Sequence, residues 1–170
     1  MTLYRKLVTT AFLGSLLLLL YITIFYFSSQ NSEASSSLSQ GITKDIVSFF
    51  LRITKGHLTE QNVLTLFANG ERILRKGAHF GEYAVMGILT FGILYCYLKK
   101  WSAYLFAVIW VAVSAALDEW HQYYVPGRYA SVYDVFLDTM GGMSGAFLCC
   151  MIICFIQRKK QKKLIGIEIE

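Results

Sequence analysis

Four long apolar runs organise the chain, at residues 7–27, 77–98, 101–120 and 132–156. At 1.5 Å per residue, each can cross a hydrocarbon layer about 30 Å thick, allowing some tilt or polar end-turns. Lipid offers the backbone no hydrogen-bond partners, so such runs are predicted to be helices. The first follows the basic pair Arg5-Lys6 and is longer than the apolar core of a secretory leader; it reads as a retained anchor. The stretch 28–76 has a different pattern. It opens polar, with Ser28-Ser29-Gln30-Asn31 and the run Ser35-Ser36-Ser37, which reads as a flexible exit from the membrane. Ile42, Ile46, Phe49, Phe50 and Ile53 then recur at helical spacing, and Val63, Leu66, Phe67 and Leu74 do so again. This predicts an outer loop carrying two short amphipathic helices that lie on the surface and cover the bundle. No internal repeat is present. The expected fold class is all-α: a single polytopic membrane domain over residues 1–170, with four transmembrane helices and a basic tail at 157–170.

Composition sharpens this picture. Apolar residues make up 55% of the chain, charged residues 16%, and the mean hydropathy is +0.48. Soluble domains carry about 25% charged residues, and disorder requires low hydrophobicity with high charge, so both descriptions fail. The net charge of +5 is distributed unevenly. Nine cations sit in three short stretches: Arg5, Lys6, Lys99, Lys100, Arg158, Lys159, Lys160, Lys162 and Lys163. The other seven, Lys44, Arg52, Lys55, Arg72, Arg75, Lys76 and Arg128, are spread over two longer ones. This density bias predicts that both termini are cytoplasmic. Trp101 and Trp120 bracket the third run, as residues at two membrane interfaces would. The basic cluster from Arg158 to Lys163 follows a span directly and reads as an anchor to anionic lipid, so no nucleic-acid partner is expected. Cys96, Cys149, Cys150 and Cys154 lie in or near the inner ends of apolar runs and are read as small hydrophobes, with no disulfide framework and no zinc spacing. His57, in a polar segment, is given no role.

Ionisable groups inside the spans carry the candidate chemistry, because a charge there is costly and normally faces a bundle interior or an aqueous cavity. At 100° per residue, Arg75, Lys76, His79, Glu82 and Tyr83 occupy one arc of about 120° on the second span. On the fourth span, Asp134, Asp138, Gly141 and Gly145 fall within about 60° of one another. Asp134 and Asp138 are one turn apart, and the two glycines form a small-xxx-small pair that lets another helix come close. The third span ends in Asp118-Glu119-Trp120-His121-Gln122. Under the charge-derived topology, all three polar stretches meet in one layer beneath the outer surface. Between the third and fourth spans, Val125-Pro126-Gly127-Arg128 fits a type II turn, with glycine at the position that needs positive φ. Arg128 is then expected to aim back at the acidic residues, where a guanidinium can grip carboxylate or phosphate. A buried network of ion pairs and hydrogen bonds, open to the outside, is predicted.

The same residues carry a family resemblance. Arg75-Lys76-Gly77-Ala78-His79-Phe80-Gly81-Glu82-Tyr83 resembles the RKxxHFxEY motif of the VanZ-like family. Asp118-Glu119, Gln122, Pro126-Gly127-Arg128, Asp134-Val135 and the glycines that follow resemble its second block, and Phe27-Ser28-Ser29-Gln30 its serine/glutamine exit from the first helix. The resemblance covers roughly residues 27–145. Asp138 departs from it, standing where the family usually has asparagine. The resemblance implies a small multi-pass protein of the bacterial cell membrane, of Gram-positive type, and an association with resistance to the glycopeptide teicoplanin. It does not supply a biochemical activity.

Two functions of different class fit these residues. In the first, an outward-facing site binds an anionic or lipid-linked component of the cell envelope: Arg75, Lys76 and Arg128 grip phosphate or carboxylate, and His79, Glu82, Tyr83, Asp118, Glu119, Gln122, Asp134 and Asp138 orient them and complete the site. The alternative is a membrane-embedded, metal-dependent hydrolase or transferase acting on an envelope lipid precursor, in which the one-turn pair His79 and Glu82 joins Asp118, Asp134 or Asp138 around a cation, with Glu119 or His79 as base. Lysines beside these acids disfavour a cation, so no metal ligand set and no cofactor is assigned. A carrier is disfavoured because no charged path reaches the cytoplasmic half.

Overall fold

The computed structural model describes residues 2–53 and 60–167. Lys55 and His57 lie outside the described residues, as do the side chains of Phe50, Ile53, Lys162 and Lys163. Among the described residues, five helices account for the regular structure: α1 (Leu3–Ser28), α2 (Ser32–Ile53), α3 (Glu60–Tyr95), α4 (Lys100–Gln122) and α5 (Val132–Ile167). Four of them contain stretches long and apolar enough to cross a membrane: Leu3–Ser28, Thr65–Tyr95, Lys100–Gln122 and Val132–Gln161. The protein is an all-helical, multi-pass membrane protein.

The segment between the first two spans differs from expectation. Ser35-Ser36-Ser37 is not an irregular exit but part of the 22-residue helix α2. Val63, Leu66, Phe67 and Leu74 do not form a separate surface helix; they belong to α3, which runs unbroken for 36 residues. No proline interrupts the sequence between Glu60 and Tyr95, so nothing in the chain forces a break where the polarity changes. At about 54 Å, α3 is longer than a bilayer's hydrocarbon core. Its first turns therefore extend past the bundle, where α2 packs against them. Thr43 and Val47 are buried in that contact, and Thr43 approaches Gly70, which has no side chain to keep it away. Ile42, Ile46 and Phe49 are exposed, so this apolar stripe does not cover the bundle as its periodicity suggested. The basic segment that was expected as a tail is likewise helical as far as Ile167.

α3 is the hub, packing on α5, α4, α1 and α2. Its main partner is α5, and the two run in parallel: Phe80 faces Gly141, and Ala84 faces Gly145. At both glycines the backbones approach so closely that an added Cβ would overlap the facing carbonyl. Lipid gives helices little hydrophobic reason to associate, so such close packing is what holds them. On α4 the stripe Ala103, Ala107, Val111 and Ala115 is fully buried at a spacing of four residues, presenting small side chains to the bundle in the same way. Two apolar clusters result, one around Ile24, Tyr83, Met86 and Val111, the other around Phe91, Ala103, Ala107, Ala146 and Cys150. α1 leans on α3 and only lightly on α4. Large apolar side chains such as Phe12, Ile22, Ile109, Phe147 and Ile152 point outward, as hydrocarbon surroundings allow. Trp101 and Trp120 are exposed at opposite ends of α4. All four cysteines are free.

Candidate functional site

At one end of the bundle the polar residues converge, and the α4–α5 connection sets their geometry. Gly127 takes φ 77°, and the Arg128 N–H donates to the Val125 carbonyl at 3.1 Å, closing the expected turn. The turn throws Arg128 back across the end of α1. Its Nε donates to the Gln30 carbonyl, its Nη2 to the Phe27 carbonyl and its Nη1 to Gln122 Oε1, each at 3.0 Å. Arg128 was expected to seek carboxylates. It binds carbonyls at the end of α1 instead, where a helix leaves its last carbonyls without partners and presents a partial negative charge. Burial, then Arg75, push its pKa down, and Asp118 and Glu119 oppose this; a guanidinium stays charged throughout. Gln122 completes the lock by donating from Nε2 to Ser28 Oγ at 3.2 Å and to Asp118 Oδ2 at 2.9 Å.

α3 and α5 supply the opposite wall. Lys76 Nζ pairs with Asp134 Oδ1 at 2.5 Å and lies 4.6 Å from the centre of the Tyr133 ring. Each partner is about a third exposed, 34% and 33%, so water screens the pair and its stabilisation is at the small end of the range for ion pairs. Glu119 Oε2 accepts the Ser131 backbone N–H at 2.8 Å. The Ser131 hydroxyl faces the Asp134 N–H at 3.4 Å, a long cap on the start of α5. His79 Nδ1 stands 3.6 Å from Glu82 Oε2, close enough for electrostatic pairing but beyond a hydrogen bond.

Between these walls lies a chamber of about 310 Å³. Arg75, Lys76 and His79 line it from α3, Glu119 and Gln122 from α4, Arg128 from the turn, and Asp134 and Asp138 from α5. Eight of the eleven residues expected at the site therefore share one cavity. Glu82, Tyr83 and Asp118 do not line it. Tyr83 and Asp118 instead face a second, apolar crevice of about 450 Å³, which Tyr21, Phe25, Trp110 and His121 also line, at the seam of α1 with α3 and α4. Asp118 stands between the two spaces: it borders the crevice and accepts from Gln122, which borders the chamber.

Most polar groups of the chamber are committed to one another. Among the described residues, three atoms at this end are not: Asp138 Oδ1, His79 Nδ1 and, beside the crevice, His121 Nδ1 are buried without a hydrogen-bond partner. Asp138 as a whole is 3% exposed. Arg75 is exposed, and no ion pair among the described residues engages it. The residues named for a cation are divided between the chamber and its surroundings, and among the described residues no three His, Cys, Asp or Glu side chains are grouped as metal ligands would be. Sequence reasoning missed Ser131, although Ser131-x-x-Asp134 before an apolar run is a helix-start pattern. It also missed the crevice, whose walls come from three helices and leave no local signature.

Four apolar spans and a polar chamber at one end of the bundle define a multi-pass helical membrane protein. Its family is settled by comparison: the VanZ/LLP1 family model matches residues 12–155, and the chain belongs to that family. Neither a curated protein nor a solved structure matches it.

Proposed function

We propose that this VanZ/LLP1 protein binds an anionic or lipid-linked component of the bacterial cell envelope in the polar chamber, and that this binding underlies a role in glycopeptide (teicoplanin) resistance. The observation that carries the proposal is Arg75, a cation not engaged by the network, on the wall of a cavity large enough for a lipid headgroup. Lys76 and Arg128 line the same cavity and make it attractive to phosphate or carboxylate. The apolar crevice beside it is open to the hydrocarbon chain of such a ligand. The orientation is supported by the cations: Lys99, Lys100, Arg158, Lys159 and Lys160 cluster at the other end of the bundle, as the positive-inside bias expects of a cytoplasmic end.

Native mass spectrometry of the purified protein, titrated with short-chain phosphatidylglycerol, tests this reading. Wild type is expected to retain the lipid, and Arg75→Gln to bind about tenfold more weakly, the loss of one charge-assisted contact. Cells expressing Arg75→Gln are expected to lose any teicoplanin tolerance that the wild-type protein gives. Equal binding by the two folded proteins would remove the proposal.

A further inference from the structure

The chamber is dipolar. Arg75, Lys76 and Arg128 supply positive charge, and Glu119, Asp134 and Asp138 bring three carboxyls. The protein satisfies most of this itself: Arg128 is spent on Gln122 and two carbonyls, Lys76 on Asp134, and Glu119 on the Ser131 N–H. Three groups of the chamber are left over: His79, whose Nδ1 is buried without a partner, and two that stand at its opposite reaches. Arg75 is exposed and unpaired among the described residues, and Asp138 is buried with Oδ1 unpartnered. Asp138 lies one turn, about 6 Å, farther along α5 than Asp134, whose partner Lys76 adjoins Arg75 in sequence. The free cation and the free acceptor therefore stand at different depths of one cavity. A buried carboxyl oxygen without a donor is costly, and an ammonium brought against it supplies that donor and favours the ionised carboxylate.

From this geometry we infer that the occupant is zwitterionic: its phosphate or carboxylate meets Arg75, and an ammonium group reaches inward to hydrogen-bond Asp138. This deepens the proposed function and rests on it, since it names the headgroup chemistry of the same site. An anion alone would leave Asp138 unsatisfied, and a simple cation would leave Arg75 idle. A phosphoethanolamine-type headgroup carries both charges a few bonds apart.

The test uses the full-length protein in detergent and three probes: dihexanoyl phosphatidylethanolamine, its N-acetyl derivative, which keeps the phosphate and loses the ammonium, and free phosphoethanolamine. Wild type is expected to prefer the free amine over the N-acetyl form by about tenfold. Asp138→Asn, close to the same shape without the charge, should erase that preference while still binding the N-acetyl form. Comparable binding of free phosphoethanolamine, with the same dependence on Asp138, supports the zwitterion and places its source in solution; much weaker binding places it in the membrane. Wild type that binds both lipids equally overturns the inference and leaves the proposed function standing. Wild type that binds none of these probes overturns the inference, and if it binds no phosphatidylglycerol either, the proposed function falls with it. The wild-type comparison decides the matter even where Asp138→Asn fails to fold.

Discussion

The face of α5 that meets α3 does two different things along its length. At Gly141 and Gly145 it touches the α3 backbone with no room for a side chain. One and two turns earlier, Asp138 and Asp134 stand on the same face, and there the bundle encloses a chamber of about 310 Å³. Glycine closes the seam and aspartate opens it. Stability and the proposed binding therefore share one stripe, divided by position: the glycine end fixes the distance between the helices, and that fixed distance holds the polar end apart as a cavity.

Substitutions at the closed end should produce the largest effect. Gly145→Val forces α3 and α5 apart, because its Cβ would meet the Ala84 carbonyl, a backbone atom that cannot turn aside. A loss of about 3 kcal/mol is expected by thermal or denaturant unfolding in detergent. Lipid binding should fall with it, and a fully stable Gly145→Val would break the comparison. Arg128→Gln comes next. It removes the clamp on Phe27, Gln30 and Gln122 and should cost about 2 kcal/mol, with increased protease or exchange sensitivity at the end of α1. Lys76→Met breaks a pair that is one-third exposed, so less than about 1 kcal/mol should be lost in the same melt. Arg75→Gln should leave stability within about 0.5 kcal/mol of wild type. That small change is the informative one, since reduced anion binding without reduced stability separates the open end's function from its architecture.

The sequence made the spans, the polar arcs and the type II turn legible because each depends on local periodicity or on a single residue's backbone preference. The Asp134, Asp138, Gly141 and Gly145 stripe was readable for the same reason: four residues on one helix face need no knowledge of the partner. Arg128 was misread because its charge suggested carboxylates, whereas its partners are carbonyls at the end of a helix a hundred residues earlier. Carbonyls have no side-chain identity to read. The region between the first two spans was misjudged for a different reason. Polarity marks where a helix leaves lipid, but it does not stop the helix, and α3 simply continues through the change. On α2 the periodic apolar stripe drew attention, while the contact with α3 was made by Thr43 and Val47.

Sidedness tests the account most directly. With Cys96, Cys149, Cys150 and Cys154 replaced by alanine, a single cysteine can be placed at Tyr129, which is 90% exposed at the chamber, or at Gln161 near the other end of the bundle. A membrane-impermeant maleimide applied to intact cells should label the Tyr129→Cys protein and spare Gln161→Cys until the cells are opened. Labelling of Gln161→Cys in intact cells, with Tyr129→Cys protected, would turn the chamber toward the cytoplasm and contradict an envelope ligand.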